Sequence, residues 1–402
     1  MFSQSLVLAA VAVGGVYAQS TASACSAATV TVNSAADATA IADCSTIKGD
    51  LLVGPNAVGV IDLSGPEAIS GSLIVENAGL LVTLQSNTIG TIGDSFTLTN
   101  LTTLSTLSFG SLVGVGQIAW SALPALPQLT FPASVSKAKS VLITNTFLST
   151  LDGINLDSVD TMDINNNNRL RTFSTQVSNI TQMLNIDSNG RNLEVTFPNL
   201  EWAANMTFRN ISSISFPSLA VINGSLGFYE NYFESINAPN LTSITSGSLA
   251  IVANPSLANL SMPLLEAIGG GNLIANNSAL DAISFPVLAN VGGAIDFSGN
   301  FTTPELPALE DVKGGFNMQS TTSISCDGFQ KEKDNGAIQG KYTCKTTEDA
   351  TSDPDGTATG TSTGSSSSSS STSSSNAAVQ VGFNAQSAIG LSVVGGFLGM
   401  LL

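Results

Sequence analysis

Asparagine recurs along this chain at a near-constant interval. Asn145, Asn167, Asn189, Asn210, Asn231, Asn254, Asn277 and Asn300 are separated by 22, 22, 21, 21, 23, 23 and 23 residues, and Asn77 and Asn100 extend the series backwards. A fixed period of this length is the mark of a repeat architecture, in which each unit buries its apolar side only by stacking on the next. The residues before each asparagine alternate in polarity, as in Leu184 and Ile186 before Asn189 or Leu249 and Ile251 before Asn254. Alternation of period two is a strand with one buried face. A proline follows in most repeats (Pro198, Pro217, Pro239, Pro263, Pro286 and Pro307) and marks the turn or strand start of each coil, since proline is depleted from strand interiors. The reading is an all-β, right-handed β-solenoid with repeats of about 22 residues. The pattern is interrupted between Leu112 and Pro127.

A buried asparagine once per coil has a physical use, because its amide can donate to and accept from the turn backbone of its own and adjacent coils. All eight asparagines from Asn145 to Asn300 are therefore expected to point inward as a structural ladder.

Both ends of the chain carry processing signals. Leu6–Val16 is an apolar run too short to span a bilayer, and the small-residue pattern ending at Ala18 predicts a secretory signal peptide over 1–18. Residues 346–376 are dominated by Ser, Thr, Gly and Asp and cannot bury enough apolar surface to fold, which predicts a disordered stalk. Small residues around Asn376, a spacer and an apolar tail to Leu402 have the order of a GPI signal, with Asn376 as the preferred attachment residue, Ser375 or Ser374 as alternatives, and 377–402 removed. The folded ectodomain is then 19–345.

That route places the chain in an oxidising compartment. Its four cysteines form two close pairs, Cys25 with Cys44 and Cys326 with Cys344. A solenoid would hold the pairs beyond disulfide reach of each other, so local bridges that staple the two ends are expected. There is no histidine and no C-x-x-C spacing to suggest zinc, and no residue pattern asks for a cofactor. A net charge of −17 with only 12 basic residues argues against a nucleic-acid partner.

Nine N-x-S/T sequons mark accessible asparagines in a secreted protein. Asn179, Asn205, Asn223, Asn240, Asn259 and Asn276 lie off the expected ladder and are the preferred acceptors. Asn100, Asn210 and Asn300 lie on it and rank below them, on the expectation that their amides are buried.

The strand register also predicts an outward face carrying Asp163, Asp187, Tyr229 and Asp296, a candidate binding surface. Asp163 and Asp187 are expected to be diagonal neighbours at a separation that a carboxylate pair of a glycoside hydrolase could use. Without histidine a Ser-His-Asp triad is impossible, and a solvated or ligand-binding face is the stronger reading.

Repeats such as Phe216-Pro217-Ser218-Leu219 through Ile222 and Gly224-Ser225-Leu226 to Asn231, with the cysteine pairs, the serine tract and the apolar tail, resemble the fungal GPI-anchored cell-wall organisation proteins. Their ectodomain is similar to the leucine-rich L domains of insulin-receptor-like proteins. The resemblance implies a non-enzymatic role in cell-wall integrity at the extracellular face of the plasma membrane and partly in the wall. The expected partners are wall polysaccharide or wall proteins, with the membrane reached through the GPI lipid. A carbohydrate-active enzyme and a surface receptor or adhesin are the alternatives.

Overall fold

A computed structural model describes residues 24–346, so the signal peptide with Ala18, the stalk and Asn376 lie outside the described residues. The chain is a β-solenoid of about 14 turns built from parallel sheets. It falls into two compact units, one comprising the residues up to Val159 with Asn166–Leu170, the other Asp160–Asn165 with the residues from Arg171 onward.

In the first unit the long strands Leu73–Glu76, Thr91–Thr99, Gly114–Leu123 and Ser140–Thr146 pair in parallel, with Leu73, Phe96, Ile118 and Val141 in one inward column. The interval from Leu112 to Pro127, where the sequence pattern is interrupted, thus contains a complete coil. Its αL position is held by Ala122, with φ 55°, in place of asparagine. A ring of tilted and edge-to-face aromatic contacts among Phe96, Phe109, Phe131 and Trp120 fills the interior, with centroids 5.1 to 6.0 Å apart.

In the second unit the register runs Leu184, Met206, Leu226, Leu249, Asn272, Ile295, Phe316 and Tyr342 along one inward column. A second inward column, Ile186, Phe208, Phe228, Ile251, Ile274, Phe297 and Met318, lies two residues on and is fully buried. Burial on this alternation is the apolar driving force that the sequence pattern encodes.

The asparagine recurrence resolves into two adjacent columns. Asn77, Asn100, Asn145, Asn166, Asn210 and Asn276 occupy the left-handed region, with φ between 53° and 59°. The residue immediately after each such turn points inward, and only there is the asparagine buried, as at Asn167, Asn189, Asn231, Asn254 and Asn277. Asn145 is exposed, and Asn210 and Asn300 are half-buried, so these three are corrections to the expected ladder. Asparagine tolerates the left-handed conformation better than other side-chain-bearing residues. One residue type therefore serves two neighbouring positions, and a period with a one-residue wobble does not separate them.

The buried members do form a ladder. Asn231 donates from its backbone N and its Nδ2 to Oδ1 of Asn254 at 3.0 and 2.9 Å, and Asn254 repeats both bonds to Oδ1 of Asn277 at 2.9 and 3.0 Å. Asn231 Nδ2 also reaches the carbonyl of Phe208, and Asn277 Nδ2 that of Ile251. In the first unit Asn167 accepts from the backbone N and the hydroxyl of Thr146.

Asn272 is different. It stands in an inward column between Leu249 and Ile295, is 1 % exposed, and neither its Nδ2 nor its Oδ1 makes a hydrogen bond among the described residues. A buried amide without partners loses its hydration uncompensated, at about 1–3 kcal/mol. Asn272→Leu is expected to raise stability by a similar amount (about 1–3 kcal/mol), read as a higher urea midpoint at unchanged slope. A lower midpoint would mean that the amide is held by a buried water.

Disulfides join Cys25 to Cys44 and Cys326 to Cys344, with Cα–Cα distances of 5.5 and 6.0 Å. The first bridge lies beside the helix Ala35–Ala40, whose N-cap Ser34 accepts from the backbone N of Asp37. The second joins the N-cap of the helix Asp327–Asp334 to the strand Tyr342–Thr346.

Candidate interaction face

The outward positions of the long strands in the second unit form two columns. The first runs Asn185, Thr207, Gly227, Ala250, Leu273, Asp296 and Asn317, and the second Arg209, Tyr229, Val252, Ala275, Ser298 and Gln319. Asp163 precedes Asn185 across the coils and accepts its Nδ2 at 2.8 Å, together with Nδ2 of Asn165 at 2.9 Å. At the far end of the same column Asn317 donates from Nδ2 to Asp296 at 2.7 Å. The first column therefore carries a carboxylate–amide pair at each end.

Between these pairs the face turns apolar. Ala250, Leu273 and Ala275 form a buried cluster with Tyr229 and Val252 packed against it. Tyr229 lies folded over Gly227, where an added Cβ would come within 2.5 Å of ring atom Cε2. A side chain at that position would displace the ring, which occupies the space it would need. The Arg209 guanidinium stands 4.4 Å from the Tyr229 ring centroid and 3.6 Å from the Glu230 carboxylate, so its charge is already engaged. Burial pushes the Tyr229 phenol up, opposed by Arg209. Burial likewise raises the Asp296 carboxyl above the usual carboxylate range, opposed by the Asn317 hydrogen bond.

All four residues expected on the binding face thus lie on outward strand positions, but they are not one cluster. Asp163 is bonded to the amides of Asn165 and Asn185, while Asp187 accepts from the Ser188 hydroxyl at 2.9 Å. Trp202 and Tyr232 lie off the two columns, Tyr232 beneath the Arg191 guanidinium at 5.4 Å. Sequence reasoning also puts Asn185 outward but missed Gly227, Leu273 and Asn317 as members of the face. The signal that could have found Gly227 and Leu273 is the loss of polar outward residues over the coils from Gly227 to Ala275.

The preferred glycan acceptors Asn179, Asn205, Asn223, Asn240, Asn259 and Asn276 are all exposed. Asn100, ranked below them for expected burial, is exposed as well and donates to Oδ1 of Asn77 at 2.9 Å, which removes the reason for its lower rank. Asn210 and Asn300 are half-buried and not the buried amides expected.

Comparison with known proteins places the chain. It is 44 % identical to Protein ecm33 of Aspergillus fumigatus over 321 residues, 80 % of each chain. It is 38 % identical to a Cell surface GPI-anchored protein of Arthroderma benhamiae over 80 % of this chain and 82 % of that one. The chain belongs to the fungal ecm33 family of cell-wall and GPI-anchored cell-surface proteins. The Cell wall protein ecm33 of Schizosaccharomyces pombe is 31 % identical over 75 % of this chain and 72 % of its own. No family model and no solved structure matches. Relatives carry the names of cell-surface GPI-anchored and cell-wall proteins, and this chain has its place at the extracellular face of the plasma membrane and the cell wall. The Arthroderma benhamiae and Schizosaccharomyces pombe relatives are named for the surface and the wall and not for a reaction.

Proposed function

We propose that this ecm33-family protein is a non-enzymatic, GPI-anchored wall-organising glycoprotein that works by binding wall polysaccharide or wall-building proteins. The observation that supports it most is the kinship with Protein ecm33 of Aspergillus fumigatus over 80 % of both chains. A stack of coils with repeated outward columns offers an extended surface suited to polymers and proteins. The carboxylates of that surface are spread along it and paired with amides, an arrangement suited to holding hydroxyl groups in place.

Treating intact cells with phosphatidylinositol-specific phospholipase C is expected to release the protein, and β-glucanase digestion to release at most a minor fraction. Release by glucanase alone would put the tether on the wall polymer and overturn the lipid anchor. Incubation of the purified protein with laminarin, chitin or mannan is expected to liberate no reducing ends. Their appearance, and its loss in Asp163→Asn or Asp187→Asn, would establish the glycosidase alternative.

A further inference from the structure

The sequons have a pattern that the wall role does not account for. None of the nine falls on the two outward columns of the second unit's long strands. Several instead stand at the two ends of those same strands. Asn205 immediately precedes the strand Met206–Arg209 and Asn210 immediately follows it. Asn223 lies before Leu226–Tyr229, and Asn276 directly after Asn272–Ala275. Glycans at these positions would stand along both margins of the outward face and leave the face itself clear of glycan. The result is a glycan-free strip that runs across the coils between two margins of glycan, which fend off a globular partner.

We propose that this strip, from Asp163 to Asn317, binds a single strand of neutral polysaccharide laid across the coils. The proposal rests on the binding reading above and gives it a site and a ligand class. Three features of the floor select the ligand. The carboxylate–amide pairs Asp163–Asn185 and Asp296–Asn317 present acceptors and donors side by side, which suits hydroxyl groups that both donate and accept. Between them Ala250, Leu273 and Ala275 are buried, and the half-buried Tyr229 and Val252 packed against them are the apolar side chains that suit the C–H faces of sugar rings. The cation that opens the second column, Arg209, is already occupied by Tyr229 and Glu230, while carboxylates stand at both ends of the face. A polyanionic chain would therefore meet net repulsion, and a neutral one would not.

The test uses the glycosylated mature protein released from cells, run by affinity electrophoresis through gels containing laminarin, a soluble neutral β-glucan, with carboxymethylated glucan as the anionic control. Laminarin is expected to retard the wild type and the carboxymethylated polymer to leave it unretarded. Tyr229→Ala and the double variant Asp296→Ala/Asn317→Ala should each weaken retardation at least tenfold with the melting midpoint within a few degrees of wild type. Asp281→Ala, exposed and off the face, should match wild type. Asp187→Thr completes an acceptor sequence at Asn185, and the form shown by its mobility to carry the extra glycan should lose retardation while the unglycosylated form keeps it. Wild-type retardation that survives the face variants would overturn the site and leave polysaccharide binding standing elsewhere on the molecule. No retardation by laminarin, with capture of a wall protein abolished by the same variants, would overturn the ligand class and keep the face. No retardation and no dependence of capture on the face would overturn both.

Discussion

Asn254→Ala is expected to lower stability by about 3–5 kcal/mol, the largest effect of any single substitution considered for the second unit. Asn254 is fully buried, and its amide is used at both ends. Oδ1 accepts two bonds from Asn231, and Nδ2 reaches the carbonyls of Phe228 and Val252 at 3.2 Å and Oδ1 of Asn277 at 3.0 Å. Alanine removes all of these and leaves the backbone N–H of Asn231 and the Phe228 carbonyl buried without that partner. Each orphaned group costs about 1–3 kcal/mol, with a small cavity added. The measurement is the urea midpoint of the mature protein. Asn254→Asp separates the contributions, since it keeps the acceptor and loses the donor, and an intermediate loss is expected. A change below about 1 kcal/mol in Asn254→Ala would show that the ladder amides are individually dispensable.

The double variant Cys25→Ser/Cys44→Ser is expected to cost about 2–4 kcal/mol, the usual contribution of a bridge closing a loop of this size. Its location makes the consequence specific. Strand Thr29–Val32 pairs with Asp50–Val53 and is the first strand of its sheet, so the bridge holds the outermost coil in place. Repeat stacks lose structure from their ends, because a terminal coil has a neighbour on one side only. Limited proteolysis should therefore place the first new cleavages between Thr29 and Val53, ahead of global unfolding. An unchanged melting midpoint together with an unchanged cleavage pattern would sink the capping role. Cuts appearing first in the second unit would do the same.

Much of the fold was legible before any coordinates. The period of 21 to 23 residues, the alternation before each asparagine and the two cysteine pairs state a repeat, an inward face and two stapled ends. The misplacements have a common cause. Asn145 and Asn210 were expected inward because they keep the period, but they occupy the left-handed turn one residue before the inward position. Asn300 has the right interval after Asn277 but is half-buried, and the residue after it, Phe301, is the one fully buried there. The coil at Gly114–Leu123 was hidden because Ala122 performs the left-handed turn without the residue that usually advertises it.

The candidate face was legible only in fragments. Alternation put Asp163, Asp187, Tyr229 and Asp296 outward, since that follows from the strand period alone. It did not reveal that Asn185 and Asn317 complete the two acidic ends, or that Gly227 makes room for the Tyr229 ring. Those partners stand about one repeat or one alternate residue away, and their contact depends on the register between coils.

The amino-acid sequence by itself determined the class of architecture, the direction each strand residue faces, the compartment and the family, because these follow from periods and signals written within one repeat or one terminus. Only the tertiary structure decided which asparagine of each neighbouring pair enters the ladder, and which outward side chains of successive coils meet. The first depends on the sign of a backbone dihedral at the turn, which asparagine permits on either side. The second depends on stacking register, which brings together residues some 20 positions apart that no local pattern relates.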